Sequence, residues 1–163
     1  MKSLSIVIPA YNELANFKAG KLDQINEYLK KRQLDWEVII VDDGSTDSSN
    51  ELIKKYTQNK KNWHFIQNSH QGKTNTIKTG VFIAKKPFTL FTDFDQSTHI
   101  SEVEKLTPFI SKDFKVIIGS REVKGSHRDK EPWHRHLMGK GFNFGGQLVA
   151  VRGIHDTQCG FKI

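Results

Sequence analysis

Short apolar segments alternate with helix-forming stretches along this chain, and this order constrains the fold more than any other feature. The segment Trp36-Glu37-Val38-Ile39-Ile40-Val41 is almost continuously apolar, so we expect it to be covered on both faces. Strands that are separated by helices pair in parallel through right-handed crossovers. The sequence therefore predicts an α/β fold, a Rossmann-like open and mostly parallel sheet with helices on both faces. The predicted strands are residues 4–8, 36–41, 63–66, 88–91 and 115–119.

The stretches between these strands have helical patterns. An apolar stripe over residues 14–29 predicts a first helix, which Gly20 weakens. Ser48 with Glu51, and Ser101 with Glu104, have the spacing of a capping box and predict where two other helices begin. A further helix is predicted over about residues 73–85.

Polar clusters follow several of the predicted strands. In open α/β sheets, ligands bind beyond the carboxyl ends of the strands, near the point where the strand order reverses. We therefore expect one ligand site to which these clusters contribute together. The clusters are Asn12-Glu13, Asp42-Asp43, Asp93 with Asp95, and Arg121.

Asp93 and Asp95 carry the strongest chemical signal. Residues i and i+2 of an extended chain point to the same side, so both carboxylates can face one site. Two negative charges at so short a distance repel each other in a partly dry cleft, and either protonation or a bound cation relieves the repulsion. A hard divalent ion that carries a diphosphate suits these oxygen ligands, whereas the simpler alternative is a solvated Asp-x-Asp turn.

Length and composition restrict the class of protein. A chain of 163 residues with 36% hydrophobic residues is long enough for one domain with a real core, and no segment approaches the roughly 20 apolar residues of a membrane span. The amino terminus becomes polar too early for a secretory signal, and the single cysteine, Cys159, fits a reducing compartment. We therefore expect a cytoplasmic location.

The net charge of +7 leaves two interpretations open. Basic side chains either coat the helices or favour an anionic partner, such as nucleotide phosphates or lipid headgroups. Within the basic region 112–152, residues 134–151 form either a core-facing helix or an amphipathic helix on a membrane surface. Nucleic acid has the matching charge, but the chain lacks a recognisable motif of stacking aromatic residues, so we expect no nucleic-acid partner.

Six motifs occur in an order that is typical of one enzyme family. They resemble the family 2 glycosyltransferases of the GT-A fold, in particular the polyprenyl-phosphate sugar transferases. The resemblance implies a single GT-A domain over residues 1–163, and the abrupt end of the chain predicts that this domain is truncated at its carboxyl terminus. The motifs are Ile6-Val7-Ile8-Pro9-Ala10-Tyr11-Asn12-Glu13, Val41-Asp42-Asp43-Gly44-Ser45-Thr46-Asp47, Gln71-Gly72-Lys73, Asp93-Phe94-Asp95, Gly119-Ser120-Arg121 and Asp156-Thr157-Gln158-Cys159-Gly160-Phe161-Lys162.

The resemblance implies that the first motifs bind a nucleotide sugar. Asp43 would accept the imide proton of uracil and Tyr11 would pack against the base, although the Asp-Asp-Gly-Ser sequence also suits a plain turn. Lys73 opens a helix, where its charge and the helix amino end both attract an anion. The implied nucleotide-sugar-binding residues are Pro9, Ala10, Tyr11, Glu13, Asp42, Asp43, Lys73 and Asp93.

The later motifs carry the implied metal and acceptor sites. Asp93 and Asp95 would hold Mg²⁺ or Mn²⁺ against the diphosphate. Arg121 and Arg135 would bind the acceptor phosphate, the donor phosphates or each in turn, because a guanidinium group donates a planar fork of hydrogen bonds. The implied catalytic residues are Asp95, Arg121 and Asp156, the last as a base if the acceptor is an alcohol.

The expected reaction is a metal-dependent, inverting transfer of glucose from UDP-glucose to a polyprenyl phosphate of the dolichyl type, at the cytoplasmic face of a membrane. Three alternatives remain: GDP-mannose as the donor, a saccharide acceptor, or a nucleotide-sugar-binding module without complete catalysis. A nicotinamide-binding fold is disfavoured, because the first strand leads into Pro9-Ala10-Tyr11-Asn12-Glu13 and not into a glycine-rich turn.

Overall fold

The computed structural model describes residues 2–110, 114, 116–120 and 159–163. The chain divides into two compact units, of which the first comprises Met1–Ile117 with Gly160–Ile163 and the second comprises Ile118–Cys159. The sheet and the candidate site described below belong to the first unit. The prediction of a single domain over residues 1–163 stays a prediction.

A five-stranded sheet organises the first unit. Its strand order is β3-β2-β1-β4-β5, with parallel pairing throughout except between β4 and β5, which are antiparallel. This arrangement confirms the predicted open and mostly parallel sheet. The strands are β1 (Ser3–Ala10), β2 (Asp35–Asp42), β3 (Trp63–Gln67), β4 (Thr89–Thr92) and β5 (Phe161–Lys162).

The last strand differs from the prediction. No strand is assigned to the described residues of segment 115–119, although Ile117 exchanges two backbone hydrogen bonds with Ile163, at 2.7 and 2.9 Å. The edge of β4 is instead occupied by β5, in which Phe161 lies opposite Thr92. Strand formation depends on tertiary context as well as on local composition, so the β-branched composition of segment 115–119 does not reveal which segment pairs with β4.

The helices follow the predicted order with two local differences. Gly20, at φ +73°, divides the first predicted helix in two. The serines of the two capping boxes make no capping bond, since Asp47 accepts the Ser49 N–H and His99 accepts the Ser101 N–H instead. No helix in the described part is both long and apolar enough to cross a membrane. The elements are α1 (Leu14–Lys18), α2 (Lys21–Lys30), α3 (Ser49–Thr57), α4 (Lys73–Ile83), a 3-10 turn (Ile100–Glu102) and α5 (Val103–Ile110).

Both faces of the central strand are covered. Leu4 to Ala10 of β1 are all buried, and because successive side chains point to opposite faces, neither face reaches solvent. Helix α4 packs on one face at Gly80, where an added Cβ would lie 3.1 Å from Val7 Cγ2 and 3.3 Å from Val41 Cγ2. This close approach places the amino end of α4 beside the carboxyl ends of β1 and β2.

A buried carboxylate stabilises the opposite end of α4. Glu37 accepts hydrogen bonds from the Ser5 hydroxyl and the Lys85 N–H, both at 2.7 Å, and lies 3.5 Å from His64 Nε2. Burial acts to raise the pKa of Glu37, but these bonds, with the charges of His64 and Lys86, lower the pKa below its ordinary value of 4.5. Glu37 thus ties β1, β2 and the end of α4 together as an anion.

We expect Glu37→Gln to lower the free energy of unfolding by about 1–3 kcal/mol at neutral pH, since a charge-assisted bond is weakened. Because the folded-state pKa lies below the unfolded value, the carboxylate's contribution is complete above 4.5 and is lost as the pH falls through the folded-state pKa. Urea unfolding should show that the free energy of unfolding falls more steeply between about pH 6 and about pH 3 in the unaltered protein than in Glu37→Gln. Glu27→Gln, on the exposed side of α2, is the control. Equal pH profiles for unaltered protein and Glu37→Gln would contradict the assignment.

Candidate functional site

A cavity of about 330 Å³ opens at the carboxyl ends of β1, β2 and β4. The chain places β2 and β3 on one side of β1 and then β4 on the other, so the strand order reverses here. This is the position at which open α/β sheets bind ligands. The cavity is lined by Pro9, Ala10, Tyr11, Glu13, Asp43, His70, Gly72, Lys73, Thr76, Asp93, Phe94 and Asp95.

Two loops beside the cavity hold each other in place. Asn12, at φ +55°, accepts the Thr46 N–H through its side chain at 2.9 Å, and its own N–H donates to the Ser45 hydroxyl at 2.9 Å. Asp42 is fully buried and does not line the cavity, because its Oδ2 accepts the N–H groups of Gly44 and Ser45 at 3.1 Å each. The structure therefore places Asp42 as the residue that shapes the turn.

Asp43 lines the cavity and also holds the loop that precedes α4. Its Oδ1 accepts the Gln71 N–H and its Oδ2 accepts the Gly72 N–H, both at 2.9 Å. Burial acts to raise the pKa of Asp43, but these two bonds, a hydrogen bond with the Thr76 side chain and the charge of the nearby His70 lower the pKa below its ordinary value of 3.8. Asp43 is therefore a fixed anion at the base of the cavity.

A pair of aromatic rings lies beside Asp43. The rings of Tyr11 and His70 are stacked, with centroids 4.5 Å apart and an interplanar angle of 26°. Both line the cavity, and the Tyr11 residue and the His70 side chain are 44% and 59% exposed. A flat, exposed aromatic surface of this kind can pack against a planar ligand.

The opposite side of the cavity carries charges of both signs. Lys73 Nζ lies 2.6 Å from Asp93 Oδ1, while Asp95 is exposed and its Oδ1 accepts the Ser97 N–H at 2.8 Å. Phe94, between the two aspartates, is buried and anchors their turn. The predicted pair of carboxylates thus faces one cavity, with a lysine as the counter-charge of Asp93.

Glu13 adds a third carboxylate to the cavity. Burial raises the pKa of Glu13, partly offset by a hydrogen bond from Asn16 at 2.6 Å, and the charges of Asp95, Asp93 and Asp47 raise it further. Burial is the main cause of the raised pKa of Glu13, and the smaller contributions of Asp95 and Asp93 show that negative charge gathers at this side of the cavity, where a ligand cation can relieve it.

The cavity supplies some of the ligands that a divalent cation needs. Among the described residues, no group of three or more metal-ligating side chains has the geometry of a metal site. Asp93 and Asp95 supply hard oxygen ligands of the kind that Mg²⁺ and Mn²⁺ prefer, and Mg²⁺ is often held by one or two carboxylates together with substrate phosphates. The two residues therefore fit a cation that arrives with a phosphate ligand.

Gly160 lies against Asp93. A Cβ added to Gly160 would be 2.8 Å from Asp93 Oδ1 and closer still to Oδ2 and Cγ, so only glycine fits beside this carboxylate. The pairing of β5 with β4 brings this residue here from the far end of the chain. Gly160 consequently defines one side of the Asp93 carboxylate.

The structure brings most of the predicted site together. Outside the described residues lie Arg121, Arg135, Asp156 and segment 134–151, and their predicted roles stay predictions. Sequence reasoning assigned no site role to five residues at the cavity or beside Asp93, although three of them belong to the motifs and one adjoins a motif. Gly72, Phe94 and Gly160 belong to motifs, His70 adjoins one, and Thr76 had no such signal. The predicted residues that share the cavity are Pro9, Ala10, Tyr11, Glu13, Asp43, Lys73, Asp93 and Asp95.

Comparison with known proteins identifies the family. The sequence profile described as "Glycosyl transferase family 2" matches residues 5–163. The chain belongs to glycosyl transferase family 2. Its mostly parallel sheet, with a cavity at the reversal of strand order, is the GT-A architecture of these glycosyltransferases.

Three proteins show what this family 2 chain is similar to. The dolichyl-phosphate beta-glucosyltransferase of Homo sapiens is 34% identical over 181 residues, which cover 99% of this chain and 54% of the relative. The chain spans about half the length of the curated relatives it matches. Residues 1–349 of S. aureus TarS in complex with UDP match with a TM-score of 0.55 and 27% identity, covering 80% of this chain and 38% of that one. Glucosyl-3-phosphoglycerate synthase from Mycobacterium tuberculosis shares the fold, with a TM-score of 0.66 and 16% identity over 99% of this chain and 56% of that one.

Proposed function

We propose that this chain transfers glucose from UDP-glucose to a polyprenyl phosphate of the dolichyl type, with inversion at the anomeric carbon. The observation that carries the proposal is the cavity that joins an aromatic and acidic end, Tyr11 with Asp43, to a charged end, Lys73 with Asp93 and Asp95. A nucleotide sugar needs the same order of groups, a surface for the base and then charges for the diphosphate.

The relatives support the choice of substrates. The Homo sapiens relative is named for glucosyl transfer to dolichyl phosphate, and the TarS structure contains UDP. The similarity to the Homo sapiens relative covers 99% of this chain and therefore extends over the residues that line the cavity, and the TarS structure covers 80% of the chain. The UDP in the TarS structure supports a uridine nucleotide as the donor, and the name of the Homo sapiens relative supports a lipid phosphate as the acceptor.

The chain's own residues would position the donor. Tyr11 offers a ring face to the base, and Lys73 at the start of α4 offers a positive charge and a helix amino end to the diphosphate. With the donor bound, Lys73 can exchange its contact with Asp93 for one with a phosphate oxygen. Asp93 and Asp95 would hold Mg²⁺ or Mn²⁺, which when bound neutralises the charge that develops on the leaving nucleotide.

The acceptor phosphate is already an anion near neutral pH, so the reaction needs positioning and charge balance more than a general base. An oxygen of the lipid phosphate would form the new bond to the anomeric carbon as the bond to the diphosphate breaks on the opposite side. We assign the acceptor phosphate to Arg121 and Arg135, and a supporting catalytic role to Asp156. Because this acceptor is a membrane lipid, we also propose a peripheral location at the cytoplasmic face of a membrane.

Transfer of radiolabelled sugar tests the proposal. The protein is incubated with UDP-glucose or GDP-mannose and a polyprenyl phosphate, once with Mn²⁺ and once with EDTA. We expect a glucosyl lipid from UDP-glucose alone, and its loss in EDTA. A mannosyl lipid would establish the alternative donor, whereas metal-dependent binding of UDP-glucose without transfer would indicate a binding module or another acceptor.

A further inference from the structure

Gln96, the residue that follows Asp95, has a backbone conformation that is strained for its type. Its φ is +54°, in the left-handed region that favours glycine, and among the described residues Asn12 is the other non-glycine residue with a positive φ. Asparagine tolerates this region because its short amide can bond locally, whereas glutamine has no such preference. Strain of this kind persists only where the surrounding structure enforces it, and it gathers at functional sites.

The side chain of Gln96 holds the backbone of Asp93. Gln96 is only 7% exposed, and its Nε2 donates to the Asp93 backbone oxygen at 2.9 Å and lies 3.4 Å from the Thr92 hydroxyl oxygen. The Gln96 backbone N–H reaches the same Asp93 oxygen at 3.3 Å, so the side-chain amide is the closer of the two donors. The amide therefore fixes the first residue after the end of β4.

The other half of this amide carries a cost. Gln96 Oε1 is buried and, within the part of the chain that the structure describes, has no hydrogen-bond partner. A buried acceptor without a partner destabilises a fold. A strained and partly unsatisfied glutamine is a poor choice for stability, which indicates that its bond to Asp93 serves another purpose.

The same residue controls the orientation of the Asp95 carboxylate. The Ser97 N–H donates to Asp95 Oδ1 at 2.8 Å, and this bond closes a turn with Gln96 in its middle. Whether the Ser97 N–H can reach the carboxylate depends on the backbone angles of Gln96, and in this structure they are left-handed. Gln96 thus fixes the carbonyl group of Asp93 on one side and the carboxylate of Asp95 on the other.

We propose that Gln96 is a positioning residue for the two aspartates: its amide and its left-handed backbone hold Asp93 and Asp95 in the arrangement in which both carboxylates reach one divalent cation. Gln96 itself touches neither the cation nor a substrate. This inference rests on the proposed function, because it requires that Asp93 and Asp95 hold Mg²⁺ or Mn²⁺. Ligands that are already ordered lose less conformational entropy when the cation binds, so a weaker hold on the turn lowers cation affinity.

Mn²⁺ binding in the presence of UDP, followed by electron paramagnetic resonance, tests the assignment in two variants that both lack the amide. Gln96→Met fills the same space but keeps the strain, whereas Gln96→Gly relieves the strain but leaves the space empty. We expect both variants to bind Mn²⁺ about tenfold more weakly than the unaltered protein, as for the loss of one hydrogen bond, although urea unfolding should show that their stabilities differ. Gln58→Gly is the matched control, since Gln58 is an exposed glutamine at the end of α3, outside the cavity lining, and its loss should leave Mn²⁺ affinity unchanged.

Transfer assays over a range of Mn²⁺ concentrations separate positioning from a general loss of structure. In Gln96→Met the apparent KM for Mn²⁺ should rise about tenfold while kcat at saturating Mn²⁺ stays close to that of the unaltered protein. Unchanged Mn²⁺ affinity in either variant, or an affinity that merely follows the stability of each variant, would overturn the role of Gln96 and leave the proposed function standing. Absence of Mn²⁺ binding by the unaltered protein with UDP would overturn the proposed metal dependence and the Gln96 assignment together.

Discussion

Asp95→Asn is expected to reduce sugar transfer by about a thousandfold, on the scale of removing a principal charge-stabilising group from an active site. The substitution takes one negative charge from the pair of aspartates and leaves only Asp93 of that pair, which forms an ion pair with Lys73. An amide oxygen is a much poorer ligand for a hard divalent cation than a carboxylate. Cation affinity should fall with activity, and Mn²⁺ binding followed by electron paramagnetic resonance measures that loss independently of turnover.

The fold should survive this change. Asp95 is exposed, and its contact with the Ser97 N–H at 2.8 Å needs only an acceptor oxygen, which asparagine retains. Asp35→Asn is the matched control, because Asp35 is an exposed aspartate at the start of β2 that pairs with Lys86 outside the cavity lining. Full transfer by Asp95→Asn, with unchanged Mn²⁺ binding, would refute the metal assignment.

Gly160→Ala is expected to reduce transfer by about a hundredfold or more and to lower the free energy of unfolding by about 1–3 kcal/mol. A Cβ at this position overlaps the Asp93 carboxylate, so either the carboxylate or the β5 backbone must move. Movement of the carboxylate also breaks its 2.6 Å contact with Lys73. Displacement of a reacting group by about 1 Å is enough for a loss of this size.

Gly20→Ala separates a local effect from general destabilisation. Gly20 has φ +73°, so alanine is strained there, but the nearest atom to the added Cβ is Asp23 Oδ2 at 3.8 Å, and Gly20 does not line the cavity. Gly20→Ala should unfold at a lower urea concentration and keep its Mn²⁺ affinity. Gly160→Ala should unfold at a lower urea concentration and also bind Mn²⁺ more weakly. Normal Mn²⁺ binding and transfer by Gly160→Ala would show that Asp93 tolerates displacement.

The order of elements and the end of the sheet that carries the site were predictable from the sequence. The strands β1, β2, β3 and β4 are recognisable because each is a run of a few apolar residues. Ligands of open parallel sheets bind beyond the carboxyl ends of the strands, and this rule places Tyr11, Asp43, Asp93 and Asp95 at one end of the sheet. Local chemistry was less decisive at helix starts. Ser48 has the spacing of a capping residue, yet Asp47 accepts the first N–H of α3, and the same carboxylate accepts the N–H of Leu14, the first residue of α1.

The sequence by itself determined which residues gather at the carboxyl ends of the strands, because strand length, side-chain alternation and helix spacing depend on near neighbours. Only the tertiary structure decided how those residues are used. It showed that Asp42 serves the turn, that the oxygens of Asp43 are occupied by the loop before α4, and that Gly160 borders Asp93. A hydrogen-bond acceptor is available to a ligand only if no other part of the chain occupies it, and that depends on segments that are distant in sequence and brought within about 3 Å by folding.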